Sequence, residues 1–376
     1  MTARTLRGSR VVTPAGVLDD GWVVVDGARI AAVGDGPPPD GVEVQTLDGW
    51  LLPGFVDLQV HGGGGADVTA SPEALRAAVA FHRRHGTTST LISLVTAPLT
   101  ALERQLGWVA DYVAEDDGVF GAHLEGPFLS QVRCGAQNPA FLRIPDRDDF
   151  ARLVDAARGT LRSVTVAPEL PDALDVLKDV QQAGAIGAIG HTDATYVEAM
   201  AAIDAGATLA THLFNGMRPI HHREPGPAAA ALRANIACEI INDGVHLHPS
   251  ITALVNERPG RLVLVTDAID AAGMGDGEVE LGGQRVSVRN GEARLVPAGS
   301  LAGSTLTLDA AVRRAVQQCG LTVAEASRAA SGTPAQLLGR GDELGAIAPG
   351  LAADLVVLSD DLELTRVMRH GGWLEP

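Results

Sequence analysis

The chain has 376 residues, of which 46% are apolar and 20% are charged. This balance excludes a wholly disordered chain, a collagen and a small disulfide scaffold, and the length suits one large domain with a small one. The formal net charge of −17 repels nucleic acid and anionic membranes, so neither is an expected partner. An anionic substrate would therefore need a local cationic site.

The cysteines and the N-terminal residues predict a cytoplasmic location. Cys134, Cys238 and Cys319 are widely spaced and odd in number, which favours a reducing compartment. The first residues, MTARTLRGSRVVTP, lack the apolar run of a signal peptide. We see no apolar stretch that approaches the ~20 residues needed to span a membrane.

The first 50 residues predict short strands at Val11-Val12, Trp22–Val25 and Arg29–Val33. Strands and helices then alternate, with helices predicted at Ser71–His85, Leu174–Ala183 and Tyr196–Ala205. The apolar runs expected to form the alternating strands are Gly54–Val60, Thr88–Leu94, Val119–Leu124, Arg162–Ala167, Ala185–Ile189, Thr208–Ala210, Asn235–Ile241 and Leu262–Thr266. Eight such strands favour a (β/α)8 barrel, and a doubly wound open sheet is the alternative.

The chain after the eighth strand returns to β-rich sequence. A β-hairpin is predicted at Glu278–Pro297, helices at Leu306–Cys319 and Val323–Ser331, and strand-like residues at Gly345–Leu358. The fold class is therefore α/β: a TIM-like barrel over residues 53–342, with a small β-sandwich formed from both chain ends, residues 1–52 and 343–376.

Imidazoles and carboxylates cluster where the predicted barrel strands end. These residues are Asp57, Gln59 and His61 on strand 1, His123 and Glu125 on strand 3, His191 on strand 5, His212 on strand 6 and Asp267 on strand 8. The carboxyl ends of barrel strands form the active-site face, so these side chains are expected to meet. Nitrogen and carboxylate donors brought together from different strands are typical of a metal site.

Three of these residues suit a catalytic metal. Glu125, His191 and His212 supply one carboxylate and two imidazoles, which leaves a fourth position open, as in catalytic zinc sites. A metal there lowers the pKa of water. Asp267 then fits a general base that takes the proton from water and later gives it to the leaving group.

Seven motifs carry a resemblance to a known family. They are PGFVDLQVHGGGG (Pro53–Gly65), AHLEGPFL (Ala122–Leu129), GHTDA (Gly190–Ala194), THLFNGM (Thr211–Met217), REPG (Arg223–Gly226), DGVH (Asp243–His246) and LVTDA (Leu264–Ala268). These motifs occur in the order of one family, and the chain resembles the N-acetylglucosamine-6-phosphate deacetylases of the amidohydrolase superfamily. The closing segment GAIAPGLAADLVVL (Gly345–Leu358) resembles the C-terminal β segment of that superfamily.

The resemblance implies roles for individual residues. Glu125, His191 and His212 are implied as metal ligands, and Asp267 as the catalytic acid and base. Arg223 and His246 are implied to bind the phosphate of a sugar phosphate, together with the backbone NH groups of Asn215 and Gly216. A guanidinium suits a phosphate dianion, and Arg223 would supply the local positive charge that an acidic chain needs.

Two positions depart from the family pattern. Many amidohydrolases carry His-x-His on strand 1 and hold a second metal there, whereas this chain carries Gln59-x-His61. Because Gln is a poor zinc ligand, we expect one metal ion per chain, and we expect that ion to be zinc. A second, weak metal site is expected near His61 and Gln59. A substrate-contacting His often occurs in the loop after Glu-Gly-Pro, and Gln137 stands in that place.

The sequence thus predicts a metal-dependent deacetylase. The resemblance implies that it removes acetate from N-acetyl-D-glucosamine 6-phosphate and gives D-glucosamine 6-phosphate, in amino-sugar catabolism and cell-wall recycling. The resemblance also implies a homodimer, in which an Arg from one subunit could contact the phosphate bound by the other. The alternatives are another amidohydrolase acting on a different N-acyl sugar or a cyclic amide, and a non-catalytic barrel.

Overall fold

A computed structural model describes residues 3–258 and 260–375. The chain forms two compact units. The described residues of one are 3–57, 80–89 and 307–375; those of the other are 58–79, 90–258 and 260–306. Compactness alone does not set a domain boundary, so the limits drawn from the sequence stay a prediction.

The N-terminal segment forms five strands of one sheet. They are β1 (Arg4–Thr13), β2 (Gly16–Asp19), β3 (Trp22–Asp26), β4 (Arg29–Gly34) and β5 (Glu43–Pro53). β1 runs antiparallel to β2 and β3, and parallel to β5. The sequence analysis missed β5 because its first half is mostly polar and exposed and lacks the regular apolar alternation of a half-buried strand.

The second sheet is the predicted barrel. After β6 (Phe55–Asp57) and a short hairpin of β7 (Gly62–Gly63) and β8 (Ala66–Asp67), the chain adds seven strands. They are β9 (Thr87–Val95), β10 (Val119–Glu125), β11 (Leu161–Val166), β12 (Ile186–Ile189), β13 (Ala207–Ala210), β14 (Ala237–Ile241) and β15 (Leu262–Val265). The pairing order β6-β9-β10-β11-β12-β13-β14-β15 follows the chain, and a parallel bridge between Val60 and Ala268 joins its ends. The barrel is confirmed, and the doubly wound alternative is wrong, because its strand order would not follow the chain.

Seven helices separate the barrel strands. They are α1 (Pro72–Arg84), α2 (Leu99–Glu115), α3 (Arg147–Ala157), α4 (Ala173–Gln182), α5 (Tyr196–Asp204), α6 (Gly226–Ala234) and α7 (Pro249–Asn256). α5 begins with a capping box, in which the Thr195 and Glu198 side chains bond each other's backbone NH groups. Apolar side chains such as Leu102, Leu153 and Val164 are fully buried in the core that these helices and strands share.

A three-stranded antiparallel sheet follows the barrel. Its strands are β16 (Gly277–Leu281), β17 (Gln284–Arg289) and β18 (Glu292–Leu295). The prediction of a single hairpin here was incomplete, since a second tight turn at Asn290-Gly291 adds β18. Both of its residues have positive φ, 53° and 79°, as two-residue hairpin turns require.

The C-terminal segment returns to the first sheet. After α8 (Leu308–Gln317), α9 (Val323–Ser327), a π-helical turn at Arg328–Gly332 and α10 (Thr333–Leu337), it forms β19 (Leu355–Leu358), β20 (Leu364–Arg369) and β21 (Gly372–Trp373). β19 pairs antiparallel with β5, so both chain ends share one eight-stranded sheet, which confirms the prediction that they meet. Within the described ranges, no helix has the length and apolar character needed to cross a membrane.

Candidate metal centre and active site

The side chains predicted to bind metal come from the ends of three barrel strands. Glu125 is the last residue of β10, and His191 and His212 follow β12 and β13 by two residues. Asp267 follows β15 in the same way. The three residues that follow their strands adopt positive φ, with 45° for His191, 29° for His212 and 50° for Asp267. Such a backbone costs about 1–3 kcal/mol per residue, and strain of this kind concentrates at functional sites.

Three donor atoms converge inside the barrel. Nε2 of His191 lies 3.0 Å from Oε1 of Glu125, and Nε2 of His212 lies 2.8 Å from the same oxygen. The two Nε2 atoms are 3.1 Å apart. All three side chains are buried, so water does not screen this contact between groups that carry lone pairs.

The hydrogen bond of His191 to Arg133 turns the other ring nitrogen of His191 towards Glu125. Its Nδ1 lies 2.9 Å from the main-chain oxygen of Arg133. A carbonyl oxygen can only accept, so Nδ1 carries the proton and Nε2 of the neutral ring presents its lone pair to Glu125. Two lone pairs at 3.0 Å repel each other unless a proton or a metal ion lies between them.

The pKa values of Glu125 and His191 also indicate that this group attracts positive charge. Burial disfavours the charged form of Glu125, but hydrogen bonds from His191, His212 and His61 outweigh burial and hold its pKa well below the usual range. Burial also disfavours imidazolium at His191, yet its bond to Glu125 raises the pKa of that ring. The group therefore attracts positive charge, as the ligands of a divalent cation do.

His61 forms a second donor group on the other side of Glu125. Its Nδ1 faces the Ser93 carbonyl at 3.1 Å, and its Nε2 lies 3.1 Å from Oε2 of Glu125 and 3.1 Å from Oδ1 of Asp267. Burial opposes the charged ring, but the two carboxylates outweigh it and raise the pKa of His61 to about 10. Glu125 is thus shared by two groups through its two oxygens.

Gln59 contacts this second group as a hydrogen-bond donor. Its Nε2 lies 3.1 Å from Oε1 of Glu125 and 3.1 Å from Oδ1 of Asp267. An amide nitrogen carries two hydrogens and offers no lone pair to a metal. In this orientation Gln59 links the carboxylate of Glu125 to Asp267, which supports the expectation that the strand 1 site is the weaker one.

Gln137 uses both ends of its side chain within the protein. Its Nε2 donates to Oε2 of Glu125 at 2.8 Å, and its Oε1 accepts from the NH of Thr96 at 2.8 Å. The side chain is buried and also borders the cavity described below. Its geometry therefore holds Glu125 in place, and the predicted contact with substrate stays a prediction.

A cavity of about 300 Å³ opens over the donor atoms. Its polar lining consists of His61, Glu125, Gln137, His191, His212, Asn215, His246, Asp267 and Ser300. Gly216 also borders the cavity, so four of the five predicted substrate-binding residues lie at its wall. Beside it, Nδ1 of His246 lies 2.7 Å from Oδ2 of Asp243. Burial disfavours the charged ring, but this bond and the charge of Asp243 raise the pKa of His246.

Arg223 is the predicted residue that the cavity does not include. Its side chain is exposed, and its Nη1 lies 2.7 Å from Nε2 of the neighbouring His222. The described lining of the cavity contains His246 but not Arg223. The structure thus separates, within one chain, the two residues that the resemblance assigned to phosphate binding.

Residues that the sequence analysis did not identify hold His123 and His191 in place. His123, in β10, is buried between Ser93 and Thr165, with 3.0 Å from Nδ1 to Oγ and 2.8 Å from Nε2 to Oγ1. Burial lowers its pKa to about 4, so the ring is neutral. Ser93 and Thr165 gave no distinct sequence signal, because both strands carry other hydroxyl residues, among them Thr90 and Ser163. The Arg133 carbonyl had no signal, because every residue carries one.

The residues present fit a divalent metal ion. The donor set is one carboxylate and two imidazoles, the donor atoms face one another within 3.1 Å, and the ring orientation of His191 is fixed from outside. These are the ligand types, ligand number and hydrogen-bonded support that such a site needs.

Comparisons with known proteins identify the family. Residues 50–374 match the sequence profile of the Amidohydrolase family. The N-acetylgalactosamine-6-phosphate deacetylase of Escherichia coli O157:H7 is 38% identical over 97% of this chain and 98% of its own. The N-acetylglucosamine-6-phosphate deacetylase of Bacillus subtilis is 35% identical, over 96% of this chain and 94% of its own.

A solved structure with a bound ligand is also similar. It is a D267A variant of the N-acetyl-D-glucosamine-6-phosphate deacetylase of Mycobacterium smegmatis in complex with N-acetyl-D-glucosamine 6-phosphate. It superposes with a TM-score of 0.95 and 43% identity, over 99% of both chains. The profile match, the relatives and the metal-ligand geometry lead to one conclusion: this chain belongs to the amidohydrolase family.

Proposed function

We propose that this protein is a metal-dependent deacetylase that converts N-acetyl-D-glucosamine 6-phosphate and water to D-glucosamine 6-phosphate and acetate. The observation that carries the proposal is the position of Asp267 beside the metal-ligand group. His61 Nε2 lies 3.1 Å from the carboxylates of both Asp267 and Glu125, so a potential base and a metal ligand face the same cavity. A binding module has no need of that pair.

The proposed metal is one zinc ion per chain, held by Glu125, His191 and His212. When bound, such an ion polarises an acyl oxygen and lowers the pKa of water towards neutrality. The mixed carboxylate and imidazole donors suit zinc. A weaker second site near His61 and Gln59 stays part of the proposal.

Asp267 handles the proton in the proposed reaction. Its carboxylate takes a proton from the water whose oxygen attacks the acetyl carbon. As the carbon–nitrogen bond breaks, Asp267 returns that proton to the amine, which leaves as the amino sugar. Hydrogen bonds from Gln59 and the Nε2 contact of His61 orient the carboxylate for both steps.

The proposed substrate rests on the relatives and on the charge at the cavity wall. Two of the similar proteins are named as deacetylases of N-acetylglucosamine 6-phosphate. His246, whose raised pKa favours the charged ring, gives the cavity a cationic group that suits a phosphate. The proposal includes a role in amino-sugar catabolism and cell-wall recycling, and the predicted cytoplasmic location remains a prediction.

A second substrate has one observation in its favour. The relative from Escherichia coli O157:H7, at 38% identity, is named for the galacto epimer. The two epimers differ only in the orientation of one hydroxyl group. Measuring acetate release from both phosphorylated epimers, side by side, decides which of them this protein prefers.

The exposed position of Arg223 supports a homodimer. Within its own chain Arg223 lies outside the cavity lining, yet a phosphate dianion approaching a chain of net charge −17 needs short-range cationic contacts. We infer that Arg223 reaches the cavity of a second copy of this chain. Each complete phosphate site would then contain His246 of one subunit and Arg223 of the other.

Metal content tests the ligand set. Gently purified protein should hold about one equivalent of divalent metal per chain after dialysis, because the three-donor group is complete and the strand 1 pair is not. His212→Ala should lose that metal, whereas His246→Ala, also at the cavity wall, should keep it. Elemental analysis measures both. Two equivalents that survive dialysis and are both needed for activity would refute the single-metal proposal.

Asp267→Asn tests the proton-transfer role. Asn keeps the shape of the side chain but cannot exchange the proton, so kcat should fall about 10²-fold or more while metal content stays near that of the wild type. Asp270→Asn, three residues later and outside the described cavity lining, should retain most of the activity. A variant at Asp267 with a tenth of wild-type kcat would remove this residue from the mechanism.

Arg223→Ala tests phosphate recognition. Charged hydrogen bonds are typically worth about 1.5–3 kcal/mol, so kcat/KM on the phosphorylated sugar should fall about 10- to 150-fold. The unphosphorylated sugar never uses the contact, so its kcat/KM should change little. Equal losses on both substrates would mean that Arg223 does not bind the phosphate.

Mixed dimers then show which subunit supplies Arg223. Equimolar Arg223→Ala and Asp267→Asn chains, unfolded and refolded together, would form dimers in which one cavity has both Asp267 and a partner's intact Arg223. Activity should rise above that of either variant alone. Without any rise, Arg223 would act within its own chain.

The pH dependence tests His246. Its raised pKa keeps the ring charged below that pKa, so the contact is present at lower pH and is lost as pH rises through it. Asp243, Asp267 and Glu292 all contribute to this raised value. The ratio of kcat/KM for phosphorylated to plain sugar should therefore fall with rising pH above about 6, where the phosphate is a dianion.

His246→Gln gives the matched measurement, since Gln is neutral throughout. Its substrate ratio should be lower than that of the wild type by about 10-fold at the lowest pH of this range and should not fall further as pH rises. Taking the ratio of two substrates cancels the titration of the metal-ligand group. A wild-type ratio that is flat with pH would exclude charged His246 as a phosphate contact.

A further inference from the structure

Asp193 stands between two arginines, two residues after the metal ligand His191. Its Oδ1 accepts from Nε of Arg133 at 2.8 Å, and its Oδ2 accepts from Nη2 of Arg218 at 2.9 Å. All three side chains are about two-thirds or more buried, with exposed fractions of 32% for Arg133 and 27% for the other two. The sequence analysis gave this cluster no role.

The segment that carries Asp193 is fixed from the other side. Oε1 of Glu169 accepts from the NH of Asp193 at 2.6 Å, and Oε2 accepts from Oγ1 of Thr192 at 2.5 Å. The backbone of Thr192 also bonds Gly216 and Arg218. Asp193 is therefore a rigid anchor rather than a mobile surface carboxylate, and its ion pairs lose less conformational entropy when they form.

Arg133 connects Asp193 to His191. Its side chain binds Asp193, while its main-chain oxygen accepts the Nδ1 proton of His191 at 2.9 Å. The backbone of Gly216 packs closely against the His191 ring and the Arg133 oxygen. A Cβ at position 216 would lie 2.8 Å from Nδ1 of His191 and 3.2 Å from that oxygen. The ring is thus held by a carbonyl whose own position depends on the Arg133 side chain.

We propose that Asp193 is a positioning residue: through Arg133 it fixes the carbonyl that sets the tautomer and orientation of His191. This inference rests on the proposed role of His191 as a metal ligand. Partners that orient a ligating His typically change metal affinity about 10- to 100-fold when they are removed. Asp193 does not touch the metal-ligand atoms, so it acts only through the residues that it holds.

Metal affinity, measured without substrate, tests the proposal. Zn²⁺ is titrated into metal-free protein against a competing chelator, for the wild type, Asp193→Asn and Asp179→Asn. Asp179 is the matched control, since it also pairs with an arginine, through two bonds of 2.6 and 2.7 Å to Arg147, and lies outside the described cavity lining. Asp193→Asn should weaken binding about 10-fold or more, and Asp179→Asn by less than twofold.

A double variant separates positioning from general damage. If Asp193 acts through Arg133, Arg133→Gln alone should weaken Zn²⁺ binding as much as Asp193→Asn, and the double variant should be no weaker than either. Additive losses, or a Zn²⁺ affinity of Asp193→Asn within twofold of the wild type, would overturn the proposal. If Asp193→Asn does not fold, Arg133→Gln tests the proposal in its place. A Zn²⁺ affinity of Arg133→Gln within twofold of the wild type would then overturn the proposal.

The absorption spectrum of the Co²⁺-substituted protein gives a second readout. If His191 is displaced in Asp193→Asn, the visible bands of that variant should shift, whereas those of Asp179→Asn should stay unchanged.

The variant His212→Ala distinguishes failure of the positioning role from failure of the proposed function. If His212→Ala binds Zn²⁺ as tightly as the wild type, the metal-ligand assignment itself falls; if only Asp193→Asn matches the wild type, the positioning role alone falls.

Discussion

The arrangement of the candidate active site depends on one contact, between two imidazole nitrogens and one carboxylate oxygen. Nε2 of His191, Nε2 of His212 and Oε1 of Glu125 lie within 3.1 Å of one another, and all three residues are buried. Lone pairs at these distances repel in a low-dielectric interior, so the arrangement is stable only around a positive charge. The barrel core supplies the rigidity that keeps the three atoms together.

The surrounding residues are organised to maintain that contact. The Arg133 carbonyl fixes the proton on His191, Gln137 binds the second oxygen of Glu125, and Gln59 links Glu125 to Asp267. The strained backbone at His191, His212 and Asp267 persists because the neighbouring strands over-determine it.

The loop that follows β10 is therefore part of the site in two ways. Its side chains Gln137 and Arg133 hold Glu125 and Asp193, and its residues Gly135 and Ala136 border the cavity. The amide of Gln284, in the three-stranded sheet, donates to the Ala136 carbonyl at 2.6 Å. The three-stranded sheet is thus hydrogen-bonded to the loop whose residues Gln137 and Arg133 contact Glu125 and His191.

The sequence by itself determined the barrel, and it singled out the residues now proposed as metal ligands and as general base. Strand periodicity places Glu125, His191, His212 and Asp267 at strand ends, and parallel strands in a barrel bring those ends to one face. Only the tertiary structure decided the rest. Whether Gln59 binds metal or donates to carboxylates, that the Arg133 carbonyl orients His191, and that Arg223 lies outside its own cavity all depend on distances between residues far apart in the chain. A main-chain oxygen or an amide leaves no mark in the sequence, because its role is set by what the fold places opposite it.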